Sequence, residues 1–224
     1  MSTDNLVSIG ATISTILMFL THLKTPLEIN RNINAIYIIP FFPHIMTFFN
    51  CTLWEKYGIL KGDLAMIFVN FTGILITTNV IYIYYKNARD LKKKVEKSFT
   101  IAILGLIIIL SYVKFNRGST SYTVLGFLTN ISTIITFGSP LSTLKRVVQT
   151  KDNSSLSIHL IVISFVSSFL WTLYGYIIND KFVTVPNGLG CLLSAFQIII
   201  YYIYSKDYSL PQNTIQMTPF HLKN

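Results

Sequence analysis

Chemistry in this 224-residue chain has to come from a few polar side chains set among long apolar stretches. Two amides, Asn70 and Asn187, and the chain's two tryptophans, Trp54 and Trp171, stand out. Each indole is followed one helical turn later, on the same helical face, by a tyrosine: Tyr57 and Tyr174. An amide offers two donors and an acceptor. Leaving it unpaired in hydrocarbon costs several kcal/mol by order of magnitude, so each amide must face a partner helix or a wet cavity. Cys51 lies one turn before Trp54 and reads equally as a pocket wall or a buried small residue. Amides and flat rings hold polar ligands; they do not make or break bonds. His22, His44 and His159 are the ionisable groups that fall within apolar segments, and their spacing is unlike that of a metal site. Every acidic residue, Asp180 included, lies in a connection, a tail or a segment edge. An enzyme would need a nucleophile–base pair or paired aspartates within the segments, and no such pair occurs. A proton- or sodium-coupled carrier usually needs a carboxylate near the midplane, so the pattern argues for an uncoupled one.

The elements that carry these residues follow from composition. The chain is 51% hydrophobic and only 12% charged, against about 25% charged for an ordinary soluble domain. It reads as an all-α integral membrane protein. Seven apolar segments, roughly 6–23, 38–55, 64–85, 98–113, 121–143, 158–177 and 183–204, are joined by short connections. The net charge of +9 resembles a nucleic-acid footprint until the positions are counted. Thirteen of the 18 lysines and arginines fall in the odd connections plus the C-terminal tail, and five in the even connections. Positive loops stay cytoplasmic, which puts the N-terminus outside, the C-terminus inside, and no nucleic acid among the partners. The first segment lacks the basic leader and small-residue cleavage site of a signal peptide and reads as a span.

The chain also repeats itself. At an offset of 117, Leu53, Trp54, Tyr57 and Gly58 meet Leu170, Trp171, Tyr174 and Gly175, and then Asn70 and Gly73 meet Asn187 and Gly190. Upstream, Phe19 and His22 align with Phe137 and Pro140 at an offset of 118. Three spans are thus duplicated and a fourth links the copies, so both copies run the same way through the membrane.

These motifs resemble the SWEET family of sugar uniporters. The carriers of the resemblance are Trp171-Thr-Leu-Tyr174-Gly175, Asp180, and Val185-Pro186-Asn187-Gly-Leu-Gly190 with Gln197 and Tyr202. Phe137-Gly-Ser-Pro140-Leu and Val147-Val-Gln-Thr-Lys151 add to it. Leu60-Lys-Gly-Asp63 and Val69-Asn70-Phe-Thr-Gly73 look most like the animal branch. The resemblance covers about residues 6–204. It implies seven transmembrane helices in a 3+1+3 layout: a first repeat over 1–97, a linker helix over 98–118, a second repeat over 119–204, and a cytoplasmic tail over 205–224.

The resemblance also implies roles. Asn70, Asn187, Trp171, Trp54 and Cys51 would bind the substrate, the ring faces packing on a sugar's C–H face. Tyr57, Tyr174 and Asp180 would form the extracellular gate. The family carries one proline in each of spans 1, 2, 5 and 6 as an inner gate and hinge. Here Pro43 and Pro140 fill two of those places; His22 stands at the third, and Ser157 and His159 lie where the fourth is absent. Pro26 and Pro40 are nearby but out of register. The implied function is facilitative, bidirectional transport of a monosaccharide such as glucose by alternating access, with no cofactor. The implied partners are a mono- or disaccharide, the lipid bilayer and further copies of the chain. The plasma membrane is the expected location, with an internal membrane as the alternative. A receptor reading needs no repeat and lacks its triplet, since the stretch after the third segment reads Tyr85-Lys-Asn-Ala-Arg-Asp90. A carrier of amino acids or protons would need a Pro-Gln motif within a span, whereas Pro211-Gln212 lies in the tail. The remaining alternatives are a non-transporting adaptor and a proton-coupled small-solute carrier of the same fold.

Overall fold

The computed structural model describes residues 3–116 and 118–205, and these contain no strand. Arg117 and the tail with Lys206, Pro211, Gln212 and Lys223 lie outside the described residues. In chain order the helices are α1 (Thr3–Leu20), α2 (Lys24–Arg31), α3 (Phe42–Lys61), α4 (Leu64–Lys86), α5 (Lys92–Phe115), α6 (Ser119–Thr136), α7 (Gly138–Thr150), α8 (Ile158–Ile177) and α9 (Lys181–Ser205). Short 3₁₀ turns occupy Thr21–Leu23, Ile33–Tyr37 and Arg89–Leu91.

Six helical runs are long and apolar enough to cross a bilayer. Helix α3 has the length but not the composition, because Pro43, His44, Asn50, Glu55 and Lys56 interrupt its apolar residues. It is contacted by α4, α5 and α6. Helix α5 is the opposite case, with Ile101, Leu104, Ile107 and Ile108 all exposed on its outward face.

The segment expected over 121–143 is broken. Helix α6 ends at Thr136 and α7 starts at Gly138, a turn before Pro140. Proline has no N–H for the carbonyl four residues back and crowds it, and for Pro140 that carbonyl belongs to Thr136. In the first repeat the same steric rule acts from a different register. Pro26 sits in the first turn of α2, and the carbonyl four residues behind it is that of His22, inside the 3₁₀ turn that separates α1 from α2.

Contacts run around a ring: α1 to α4, α4 to α3, α3 to α6, α6 to α9, α9 to α8, and α8 back to α1. In each copy the third helix therefore sits between the first and the second. The copies meet twice, α1 against α8 and α3 against α6, while α5 lies outside against α3 and α6. The repeated glycines make this closeness feasible. A Cβ on Gly58 would come within 2.9 Å of Met66 across the α3–α4 turn, and one on Gly175 within 2.7 Å of the Thr184 backbone across the α8–α9 turn. A Cβ on Gly73 would stand 2.7 Å from both Cys51 Sγ and Phe19, and one on Gly190 3.0 Å from Ser168 Oγ and 3.3 Å from Phe137.

Candidate functional site

The ring encloses a cavity of about 480 Å³ lined by residues of both copies, with no carboxylate, lysine or arginine in its wall among the described residues. Asn70 and Asn187 both line it. They are held alike: Asn70 Nδ2 donates to the Met66 carbonyl and Asn187 Nδ2 to the Val183 carbonyl, each at 2.8 Å. One N–H of each amide is satisfied within its own helix. The carbonyl oxygen and second N–H of each have no hydrogen-bond partner among the described residues.

Trp54 and Trp171 form further walls, with Cys51 beside Trp54. Both indoles are fixed in the same way. Trp54 Nε1 donates to Thr133 Oγ1 at 3.0 Å, and that hydroxyl donates to Asn50 Oδ1 at 3.0 Å. Trp171 Nε1 donates to Thr15 Oγ1 at 2.8 Å, which shares a hydrogen bond with Ser167 Oγ at 2.6 Å. The rings stand edge-on to the following tyrosines, at 5.5 Å for Trp54–Tyr57 and 5.6 Å for Trp171–Tyr174. Each indole N–H is thus committed to a threonine of the other copy, leaving the ring faces as the contact surface.

The cavity is closed at the end where α3 turns into α4 and α8 into α9. Tyr57 is fully buried there, and its hydroxyl donates to Asp180 Oδ1 at 3.0 Å and Oδ2 at 2.9 Å. Tyr122 stacks on Tyr57 at 4.8 Å, hydrogen-bonds its hydroxyl, and donates to Asp180 Oδ2 at 3.0 Å. Lys61 Nζ completes the set at 2.9 Å from Asp180 Oδ2 and 5.0 Å from the Tyr122 ring centroid. Burial opposes the charge on Asp180, but the bonds from Lys61, Tyr57 and Tyr122 outweigh it and hold the carboxyl below the ordinary aspartate value. The symmetry mate of this contact is Tyr174 Oη donating to Asp63 Oδ2 at 2.7 Å. Asp63 also caps α4 by accepting from the Met66 N–H at 2.9 Å.

At the opposite end the cavity wall includes His22, Pro43, Pro140 and Ser157. His159 is not among the lining residues and is exposed. His44 is buried behind the wall. The structure therefore brings together Asn70, Asn187, Trp54, Trp171 and Cys51 in one wall, and Tyr57 with Asp180 at the closed end. Sequence reasoning missed Asp63, Lys61 and Tyr122, and the threonines that hold the indoles. Asp63 was accessible, since it lies 117 residues before Asp180. Thr15 and Thr133 are likewise matched at an offset of 118. Lys61 pairs with Ile178 under the offset and Tyr122 with Asp4, so neither carried a repeat signal.

Comparisons with known proteins point to one family. A family model described as sugar efflux transporter for intercellular exchange matches twice, over residues 5–90 and 123–209. Similar proteins include a sugar transporter SWEET1 of Drosophila pseudoobscura pseudoobscura, 32% identical over 72% of this chain and 73% of its own. A SWEET1 sugar transporter of Dictyostelium discoideum is 30% identical over 87% of this chain and 90% of its own. A bidirectional sugar transporter SWEET3 of Arabidopsis thaliana is 31% identical over 79% and 70%. A 3.7 Å structure of a eukaryotic SWEET transporter shares the fold with a TM-score of 0.81, 22% identity, and coverage of 92% of this chain and all of that one.

Proposed function

The chain belongs to the SWEET family of sugar transporters, a multi-pass membrane family and not an enzyme family, and on that premise we propose that it moves a monosaccharide such as glucose across a membrane, in either direction and without coupling. The observation that carries this reading is the cavity: two matched amides and two matched indole faces in one wall that holds no charged side chain among the described residues. Amides satisfy sugar hydroxyls, and indole faces pack on the apolar side of a pyranose ring. No carboxylate lines the wall among the described residues, so the cavity lacks the group that a proton- or cation-coupled carrier usually uses.

The architecture we propose is 3+1+3: helices α1 to α4 as the first repeat, α5 as the linker span, which starts at Lys92 and so six residues before the expected 98–118, and α6 to α9 as the second repeat over 119–204. The turn end faces outside and the hinge end the cytoplasm, as the basic residues of the connections require. Tyr57, Tyr174, Asp63, Asp180, Lys61 and Tyr122 then make the extracellular gate, closed here. Pro43, Pro140, His22 and Ser157 border the inner mouth. The plasma membrane is the proposed location.

The test is uptake of labelled glucose into proteoliposomes, with and without Asn187→Ala. Wild-type chain carries flux above empty vesicles, and Asn187→Ala reduces it at least about tenfold, as befits loss of a hydrogen-bonding group from a polar site. Background flux from wild type with every hexose and disaccharide offered would end the transport reading. Dependence on an imposed proton gradient would end the uncoupled one.

A further inference from the structure

The hinge of the first repeat lacks the proline that the second repeat has. His22 occupies the place that Pro140 holds under the repeat, in the turn between α1 and α2. His22 Nδ1 lies 3.2 Å from His44 Nδ1 on α3, with the rings edge-on at 5.3 Å, and His44 Nε2 lies 3.2 Å from Thr25 Oγ1 on α2. His44 and Thr25 are buried, while His22 lines the cavity. One chain of hydrogen bonds therefore ties the break between α1 and α2 to the start of α3. Helices α1 and α3 otherwise touch little, because α4 separates them in the ring.

We propose that His22, His44 and Thr25 form a clasp that positions the first-repeat hinge, replacing by side-chain bonding the stiffness that Pro140 provides by covalent constraint. The clasp has a chemical requirement. An Nδ1–Nδ1 bond needs one nitrogen bearing hydrogen and one without. It survives a single shared proton, with the charged ring donating. It fails when both rings are charged, since both Nδ1 atoms then carry hydrogen and the charges repel. Phe19 of α1 packs on His22. Pro140 in the second repeat carries no such chemical requirement.

The flux part of the test rests on the transport reading; the stability part does not. In equilibrium exchange of labelled hexose, His22→Ala lowers exchange about fivefold, the factor set by one neutral hydrogen bond, and His22→Pro recovers it. Unchanged exchange in His22→Ala, or no recovery in His22→Pro, overturns the proposal. In purified full-length protein, the Tm loss of the His22→Ala, His44→Ala double variant is smaller than the sum of the two single losses, since both single variants remove the His22–His44 bond; additive losses overturn the clasp whether or not sugar moves. Failure of all exchange with non-additive Tm losses would sink the transport reading and leave the clasp standing.

Discussion

The two ends of the cavity obey the internal repeat to different degrees. At the turn end the repeat is visible atom by atom: Tyr57 reaches Asp180 and Tyr174 reaches Asp63, each from one copy to the other. At the hinge end the copies part ways, one breaking its helix before Pro140 and the other at a 3₁₀ turn clasped by histidines. Closure needs matched partners across an interface, so changing one residue strands another. A hinge needs only a break in a helix, and several devices supply one.

Even the turn end is not fully symmetric, because Lys61 and Tyr122 join only the Asp180 contact. The largest effect should expose this. Asp180→Ala leaves Lys61 and two phenol hydroxyls without their acceptor and should cost about 3 kcal/mol, in the range for breaking one partner out of a buried ion pair. Asp63→Ala removes one tyrosine bond and a helix cap and should cost about 2 kcal/mol. Thermal unfolding of the two variants decides it; equal losses would mean that Lys61 and Tyr122 add nothing.

The next comparison concerns packing between helices. Gly73→Ala drives a methyl against Cys51 and Phe19 at 2.7 Å, whereas Gly190→Ala meets Ser168 Oγ at 3.0 Å. Over-packing in a filled core costs roughly 1–3 kcal/mol. Gly73→Ala should sit at the upper end and Gly190→Ala at the lower, read again as Tm. The reverse order would show that the second copy is the tighter one.

The smallest effect is at the turn end under mild acid. Asp180 titrates below the ordinary carboxylate value. Its contribution is present above the unfolded-state pKa of about 3.9 and is lost only as pH falls through the lower folded value. Accessibility of the Tyr57 side of the closure should therefore be constant from pH 8 to 5, measured by labelling a cysteine introduced at Val183. A change in that window would mean that Asp180 loses its charge above the ordinary carboxylate range.

Much of this was legible in the sequence because membranes make polarity informative. The two tryptophans and two asparagines betrayed the cavity wall, since an amide buried in lipid must have a reason. The helices followed from long apolar runs, including α3, which runs from Phe42 to Lys61 against an expected 38–55. What the sequence hid was partnership. Thr15 and Thr133 look like ordinary helix threonines, and only the fold shows that each holds an indole of the other copy. His159 shows the converse: its type and place suggested a gate, yet it lies exposed and off the cavity wall. Register was the other hidden quantity, since Pro26 breaks its helix one turn away from where the repeat would put the break.

The crossed pairs Tyr57–Asp180 and Tyr174–Asp63 have a genealogical consequence. Neither copy carries a donor and acceptor that meet within itself, so a chain of half this length could seal a pore only by pairing with its twin. Two identical halves would form both contacts at once. A single chain joined through α5 is free of that obligation, and Lys61, with Ile178 as its counterpart, is a position where the halves differ.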